Sequence, residues 1–299
     1  MEYKAVIWGI GQIYNRMVNV ISFYEMKQQL KIVALTASTL PPYPIIDGHP
    51  VVEAEKVKHL DYDLLIVMNA HNFHEIVKDA VTIYKVPREK IIPYWVMELS
   101  GFDFDKYLSL KESNISIISN NCWGGIAYKT LGMEARSPFK NLFVEDEDYI
   151  KLLTNLKYYM ECKPIFYQYS VDVHSQEKYP ILLLDDVKIH CNHEKEAETA
   201  IEKWNRRKEK LNWDNLFVEM YTDNPEVEEA FQKLEGFSQR ICFVPYMPQY
   251  KDSFQLKLMH GQREFWEAVN GSVTNGRDAF AYHLIDILQM NPSGRVRSR

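Results

Sequence analysis

Cysteine is scarce in this sequence, and neither a surplus of basic residues nor a long apolar run is present. The 299 residues include 4 cysteines without a Cys-x-x-Cys pair, which predicts reduced thiols and a cytoplasmic location. Lys and Arg number 35 against 41 Asp and Glu, and the net charge of −6 argues against a general nucleic-acid-binding protein. No stretch reaches about 18 apolar residues and Met1–Val20 lacks a signal-peptide pattern, so no integral membrane segment is expected.

The overall composition is that of an ordinary globular protein, with 46% hydrophobic and 25% charged residues. At roughly 150 residues per domain, the length favours two domains. Aromatic residues make up 13% of the chain. We attribute them mainly to the core, with stacking surfaces for sugars or bases as the alternative.

The first hundred residues alternate short strands with helical patterns. Strands are predicted at Tyr3–Trp8, Lys31–Thr36, Asp63–Met68 and Ile91–Pro93. The continuous apolar character of the third run is typical of a strand buried on both faces of a parallel sheet. The pattern therefore predicts a Rossmann-like parallel-sheet domain over residues 1–100.

Gly9 and Gly11 lie between the first strand and the first helix, where a dinucleotide-binding fold has its phosphate-binding turn. Tyr14 stands at the position of the third glycine, and the second strand ends in Thr36-Ala37-Ser38 without an acid for a ribose. We take Gly9 and Gly11 as candidate cofactor-binding residues. The cofactor is not identified, and an NAD(P)-dependent oxidoreductase is the least favoured function.

The second half predicts a further α/β domain over residues 113–299, with less regular alternation. Its clearest strands are Asn114–Ser119 and Pro180–Ile189. Single helices are predicted over Asp146–Met160 and Glu194–Leu211, and further segments complete the domain, among them a helix near Ala279–Met290.

A polar, glycine-rich corner, Asn120–Gly125, follows the strand that ends at Ser119. Such a corner can cradle a ligand, so Asn120, Asn121 and Trp123 are candidate substrate-binding residues. Cys122 could act as a nucleophile if a histidine lies near it in space. A small buried apolar side chain is the favoured interpretation of this cysteine.

Asp185 and Asp186 end an apolar strand, and His190 follows four residues later. On an extended strand Asp186, Lys188 and His190 share one face. A carboxylate and an imidazole on one face could serve as acid and base or hold a metal, whereas structural hydrogen bonding is the alternative. We take Asp185, Asp186 and His190 as catalytic candidates. No metal ligand set is predicted, although a divalent metal with a nucleotide or nucleotide sugar stays open.

Several segments between Asn114 and Phe217 resemble the bacterial DUF1919 family, a domain of unknown function whose members are often labelled exopolysaccharide biosynthesis proteins. These segments are Ile118–Gly125, Leu131–Gly132, Ser137–Pro138, Asn141–Phe143, Asn155–Tyr159, Tyr179–His190, Lys203–Arg207 and Trp213–Phe217. The family supplies no established catalytic residue to carry over. The first half resembles Rossmann-like modules that precede sugar-modifying and methyl-transfer domains in polysaccharide loci.

The resemblance implies a transferase of cell-surface or exopolysaccharide biosynthesis that uses an activated sugar or a similar donor. Its substrate would be a small molecule or a carbohydrate. The alternative is a non-catalytic, nucleotide-binding regulatory or scaffold protein, so enzymatic activity is not settled by the sequence. A homo-oligomer is compatible with the sequence.

Overall fold

The computed structural model describes residues 1–258, 261–272 and 284–289. It divides into two compact units, Met1–Leu108 and Ser109–Arg299. Both units combine helices with strands and contain a parallel sheet, which confirms the α/β prediction. Among the described residues, no helix has both the length and the apolar character that crossing a membrane requires.

The first unit contains a sheet of four parallel strands in the order β2-β1-β5-β6. Its inner strand β5 is buried along its whole length, as its apolar sequence predicts. The elements are β1 (Tyr3–Trp8), α1 (Gln12–Met26), β2 (Leu30–Thr36), β3 (Ile45–Ile46), β4 (His49–Pro50), β5 (Leu64–Val67), α2 (Phe73–Thr82), β6 (Ile91–Pro93) and α3 (Phe104–Glu112), with short 3-10 helices at Ala54–His59, Arg88–Lys90 and Tyr94–Glu98.

The second unit holds two sheets. A parallel sheet has the order β13-β12-β11-β7, and an antiparallel sheet has the order β10-β9-β8. The elements are β7 (Ser116–Ser119), α4 (Trp123–Thr130), α5 (Asp146–Thr154), α6 (Leu156–Glu161), β8 (Ile165–Val171), β9 (Lys178–Leu184), β10 (Val187–His190), α7 (Ala197–Lys208), β11 (Leu216–Tyr221), α8 (Pro225–Gln232), β12 (Arg240–Val244), β13 (Ser253–Gln255), α9 (Phe265–Gly271) and α10 (Leu284–Gln289).

Two elements differ from their predicted form, and a third lies partly outside the described residues. The expected strand Pro180–Ile189 is a hairpin, because Asp185 adopts a left-handed φ of 54° and turns the chain between β9 and β10. The expected helix Asp146–Met160 breaks at Asn155, whose φ of −140° is not helical. In the predicted helix Ala279–Met290, residues 279–283 and 290 lie outside the described residues, and the described part is helical.

A single apolar core joins both sheets of the second unit. It includes side chains from the antiparallel strands, such as Leu182 and Ile189, together with Ile118 and Val218 from the parallel sheet. Phe143 and His190 form an isolated antiparallel β-bridge, in which the backbone N–H of each residue donates to the carbonyl oxygen of the other. The loop after β10 is thereby held in a defined position.

Candidate functional site

The candidate site lies at the carboxyl edge of the parallel sheet in the second unit. Strands β7 and β11 are neighbours, and their register places Ser119 opposite Glu219. Chain segments that leave adjacent parallel strands meet at this edge, where open α/β sheets bind ligands. The corner Asn120–Gly125 follows β7 directly.

Glu219 is a fully buried acid at the base of this edge, with 0% of its surface exposed. Its carboxyl group receives a hydrogen bond from the Ser119 hydroxyl, and Asn121 Nδ2 lies 3.0 Å from each of its oxygens. Burial raises the pKa of Glu219 to about 7, while the bonds from Ser119 and Asn121 oppose this rise. Glu219 therefore changes its charge close to neutral pH.

The hydrogen bonds of Ser119 Oγ are compatible with a protonated, uncharged Glu219 carboxyl group. Ser119 Oγ also lies 3.0 Å from the carbonyl oxygen of Asn121, and it accepts the backbone N–H of Gly124 at 3.4 Å. A serine hydroxyl has one proton to donate. If Glu219 is protonated, it donates to Ser119 Oγ and leaves the serine proton for the Asn121 carbonyl.

Cys122 and His193 are in contact at this site. Cys122 occupies the N-cap position of α4, and its Sγ lies 3.1 Å from Nε2 of the exposed His193. Burial raises the pKa of the Cys122 thiol to about 11, and the nearby charge of Glu219 adds to the rise. The thiol is therefore protonated at neutral pH, and the imidazole is placed to accept its proton.

Asn120 and Asn121 hold the corner in place. The side chain of Asn120 exchanges hydrogen bonds with the backbone of Tyr221, with both distances at 3.1 Å. Asn121 Oδ1 accepts the N–H of Trp123 at 2.7 Å. Both amides are buried and engaged in hydrogen bonds within the protein. Their role in substrate binding stays a prediction.

Trp123 is completely buried. Its ring stacks on Phe217 with 6.0 Å between ring centroids, and its Nε1 donates to Ser272 Oγ at 3.2 Å. The side chain thus anchors the start of α4 in the core. Its predicted contact with substrate is not tested by this packing.

The structure does not bring the three catalytic candidates Asp185, Asp186 and His190 together. The two aspartates form the turn between β9 and β10. His190 ends β10, four residues after Asp186, which corresponds to roughly 13 Å of extended strand. Asp186 pairs with Lys151 at 2.5 Å and accepts a bond from Tyr159, and these contacts lower its pKa.

His190 has a separate environment, with Nε2 3.8 Å from Glu145 and Nδ1 3.3 Å from the Tyr179 hydroxyl. Burial lowers the pKa of this histidine. The catalytic roles of Asp185, Asp186 and His190 stay predictions. Within the described part of the chain, no group of three or more His, Cys, Asp or Glu side chains could hold a metal ion.

Backbone conformation and close packing restrict the turn of the first unit that contains Gly9 and Gly11. Gly9 has a φ of 114° and its N–H donates to Thr36 at 2.8 Å, while a Cβ there would lie 3.2 Å from the Met68 carbonyl oxygen. Gly11 caps α1. Tyr14 is buried and donates its hydroxyl to Asp47 at 2.9 Å. Cofactor binding at Gly9 and Gly11 stays a prediction.

Two protein-family profiles together match most of the chain. The profile described as "Domain of unknown function (DUF1919)" matches residues 94–289, and that described as "C2185-like, N-terminal" matches residues 1–92. The chain belongs to the DUF1919 family. An "Uncharacterized protein" of Haemophilus influenzae is 30% identical to it over 182 residues, which cover 58% of this chain and 84% of that protein.

In this DUF1919 protein, sequence reasoning missed two residues of the site, Glu219 and His193. Its favoured interpretation of Cys122, a small buried apolar side chain, is not tested by the structure. The position of Glu219 could have revealed it, because it is the one acidic residue in the apolar strand β11. A buried carboxylate is costly unless it is protonated or hydrogen-bonded, so such a residue is a candidate for a functional role. His193 carries no comparable signal, since it lies 71 residues from Cys122 in the sequence. Cys122 was expected to be buried, and it is half-buried beside this imidazole.

Proposed function

We propose that this protein is an acyl-group transferase of cell-surface polysaccharide assembly. In this proposal, Cys122 carries the acyl group and His193 moves the proton. The observation that carries the proposal is the 3.1 Å contact between Cys122 Sγ and His193 Nε2. A cysteine within hydrogen-bond reach of an imidazole is the arrangement that nucleophilic catalysis requires.

The reaction begins as His193 Nε2 takes the proton of Cys122 and the sulfur attacks the carbonyl carbon of a thioester donor. The donor carbon–sulfur bond then breaks, and the departing thiolate receives the proton from His193. In the second half, His193 takes the proton of an acceptor hydroxyl as its oxygen attacks the acyl group on Cys122. The Cys122 thiolate leaves and is protonated again by His193.

The raised pKa of Cys122 decides how the pair acts. A resting thiolate–imidazolium pair is disfavoured at neutral pH, because burial holds the thiol pKa near 11. His193 therefore acts as a general base at the moment of attack. A neutral Glu219 favours this step, since a charged carboxylate nearby would oppose the developing thiolate.

Acyl transfer is favoured over the glycosyl transfer considered from the sequence. Cys122 and His193 are in contact, whereas Asp186 and His190 lie at opposite ends of β10. The carbohydrate hydroxyl as acceptor is supported by the resemblance of Asn114–Phe217 to proteins labelled for exopolysaccharide biosynthesis. We also propose a Rossmann-like first unit and a cytoplasmic location, the former supported by its parallel sheet and the turn at Gly9.

Release of free thiol from acyl-coenzyme A thioesters tests this proposal. We expect the wild-type protein to release thiol and Cys122→Ser to lose nearly all of this activity, because serine lacks the nucleophilicity of cysteine. Cys162→Ser is the matched control, since Cys162 is also a partly exposed free cysteine. Asp186→Ala should likewise retain activity.

Equal thiol release by Cys122→Ser and the wild type would contradict the proposal. Loss of activity in Asp186→Ala, with Cys122→Ser active, would restore the aspartates as the catalytic residues.

A further inference from the structure

Helix α9 contacts the surroundings of Cys122 at both of its ends. Ser272, which caps the end of α9, accepts a hydrogen bond at 3.2 Å from Nε1 of Trp123, the residue after Cys122. Phe265, at the start of α9, meets the ring of Tyr221 edge-on with 5.8 Å between the ring centroids. Two separate contacts therefore fix the position of α9 relative to the candidate site.

Tyr221 connects the start of α9 with the corner that holds Cys122. Its backbone N–H donates to Asn120 Oδ1, and its carbonyl oxygen accepts from Asn120 Nδ2, both at 3.1 Å. Asn120 precedes Cys122 by two residues. The half-buried ring of Tyr221 and that of Phe265 thus continue the contacts of this corner.

The turn between β8 and β9 approaches the site from the side of His193. Asp172 Oδ1 accepts the backbone N–H of His174 at 3.0 Å, which fixes the conformation of this turn. Glu177, at the end of the turn, pairs at 3.5 Å with Lys195, two residues after His193. An ion pair between exposed side chains adds little stability, but this one places the turn beside the loop that carries His193.

Trp266 closes a ring of contacts that includes the Cys122–His193 contact. Its indole lies 5.9 Å from the imidazole of His174, measured between ring centroids. The ring of contacts runs from Cys122 through Asn120, Tyr221, Phe265, Trp266, His174, Glu177 and Lys195 to His193, which lies 3.1 Å from Cys122. We call Tyr221, Phe265, Trp266 and His174 the aromatic rim.

Core packing does not account for the exposure of Trp266. Helix α9 buries Ala268 and Val269, and a capping box of Glu264 and Glu267 stabilises its start. Neither feature requires an aromatic side chain at position 266. Trp266 keeps 38% of its surface exposed, although an exposed apolar ring forgoes the free energy of its burial.

The exposed surface around Trp266 combines apolar and polar groups. Val173, which adjoins His174 in the turn, is 77% exposed, and Ser175 and Arg263 are exposed as well. A pyranose ring has complementary properties, because its C–H groups form an apolar face that packs on an aromatic ring while its hydroxyl groups bond to polar side chains. The aromatic rim is therefore suited to a sugar ring.

We propose that the aromatic rim binds a sugar ring of the acceptor, which stacks on Trp266 and presents a hydroxyl group to the Cys122–His193 pair. The role of this sugar as acceptor rests on the proposed function, whereas the sugar site itself rests on the aromatic rim. Stacking fixes the position of the sugar. The hydroxyl group that reacts is the one within reach of His193 Nε2.

Binding of the full chain to a microarray of bacterial surface oligosaccharides tests the site without an acyl donor. We expect the wild type to bind some of these glycans, and Trp266→Ala to bind them with an affinity lower by about tenfold or more, because the stacking face is lost. Trp266→Phe retains an aromatic face, so its affinity should lie between the two. Thermal melting shows that each variant is folded.

Trp213→Ala is the matched control, because Trp213 is a tryptophan of the same unit that is 40% exposed and lies outside the aromatic rim. It should change the affinity by less than about twofold. Wild-type protein that binds no glycan on the array, or Trp266→Ala that binds as Trp213→Ala does, would overturn the inference.

Two measurements separate this inference from the proposed function. Acylation of Cys122 by an acyl-coenzyme A needs no glycan, and binding to the array needs no acyl donor. Glycan binding that depends on Trp266, without acylation of Cys122, contradicts the proposed function and keeps the sugar site. Acylation of Cys122, with glycan binding absent or independent of Trp266, overturns the sugar site alone.

Discussion

At the scale of single residues, Glu219 is the group whose chemistry depends most on burial. Its side chain has no exposed surface, and its partners Ser119 and Asn121 are themselves buried. Burial raises its pKa from 4.5 to about 7. The folded protein therefore keeps a proton on Glu219 over a pH range in which the unfolded chain releases it.

This difference predicts a pH-dependent stability that Glu219→Gln removes. Because the folded pKa is the higher one, the contribution of Glu219 to the unfolding free energy is fully present below pH 4.5 and is lost as pH rises to about 7. Between pH 5 and 8 the unfolding free energy of the wild type should fall by roughly 2–3 kcal/mol relative to Glu219→Gln. Urea unfolding at both pH values measures this difference.

Glutamine is the suitable replacement because its amide can reproduce the bonds of the neutral acid. Its oxygen can accept from Asn121, and its nitrogen can donate to Ser119 Oγ. Wild type and Glu219→Gln with the same pH dependence of unfolding would show that Glu219 is ionised in the folded state throughout this range.

At the scale of elements, α4 carries Cys122 at its N-cap and depends on close packing at Gly125. A Cβ at Gly125 would overlap Asn141 Oδ1 and would lie 3.1 Å from the backbone nitrogen of Asn141. The segment Lys140–Asn141 therefore lies directly against α4.

Gly125→Ala should disturb this contact. Alanine is the better helix former, yet we expect a loss of about 1–3 kcal/mol of stability because the added methyl group displaces Asn141. Urea unfolding of Gly125→Ala and of the wild type measures this difference.

Gly271→Ala is the control for this substitution. Gly271 is a helical glycine of the same unit, and among the described residues its added Cβ would meet only Gln262 Nε2, at 3.4 Å. If Gly125→Ala were as stable as Gly271→Ala, the contact between Lys140–Asn141 and α4 would have no energetic importance.

Local patterns predicted most elements but not the places where single residues interrupt them. In the predicted strand Pro180–Ile189, no Gly or Pro after Pro180 announces a hairpin, and the turn depends on Asp185 in a left-handed conformation. Asn155 similarly divides a segment whose helical period continues on both sides. An aspartate or asparagine in such a position is compatible with either outcome until tertiary packing selects one.

At the scale of the whole molecule, the sequence predicted the α/β class, the apolar inner strands and the family, because each depends on local periodicity or on motif strings. The Cys122–His193 contact depends on the long-range return of the chain after β10, where Phe143 pairs with His190. Residue spacing contains no information about such contacts.

The central claim of this account is that Cys122 becomes acylated with the help of His193. Intact-protein mass spectrometry after acid quenching, followed by peptide mapping, measures it most directly. With an acyl-coenzyme A donor, we predict one acyl adduct on Cys122 in the wild type, a rate of formation at least about a hundredfold lower in His193→Ala, and no adduct in Cys122→Ser. An adduct on another residue, or equal rates in His193→Ala and the wild type, would contradict the account.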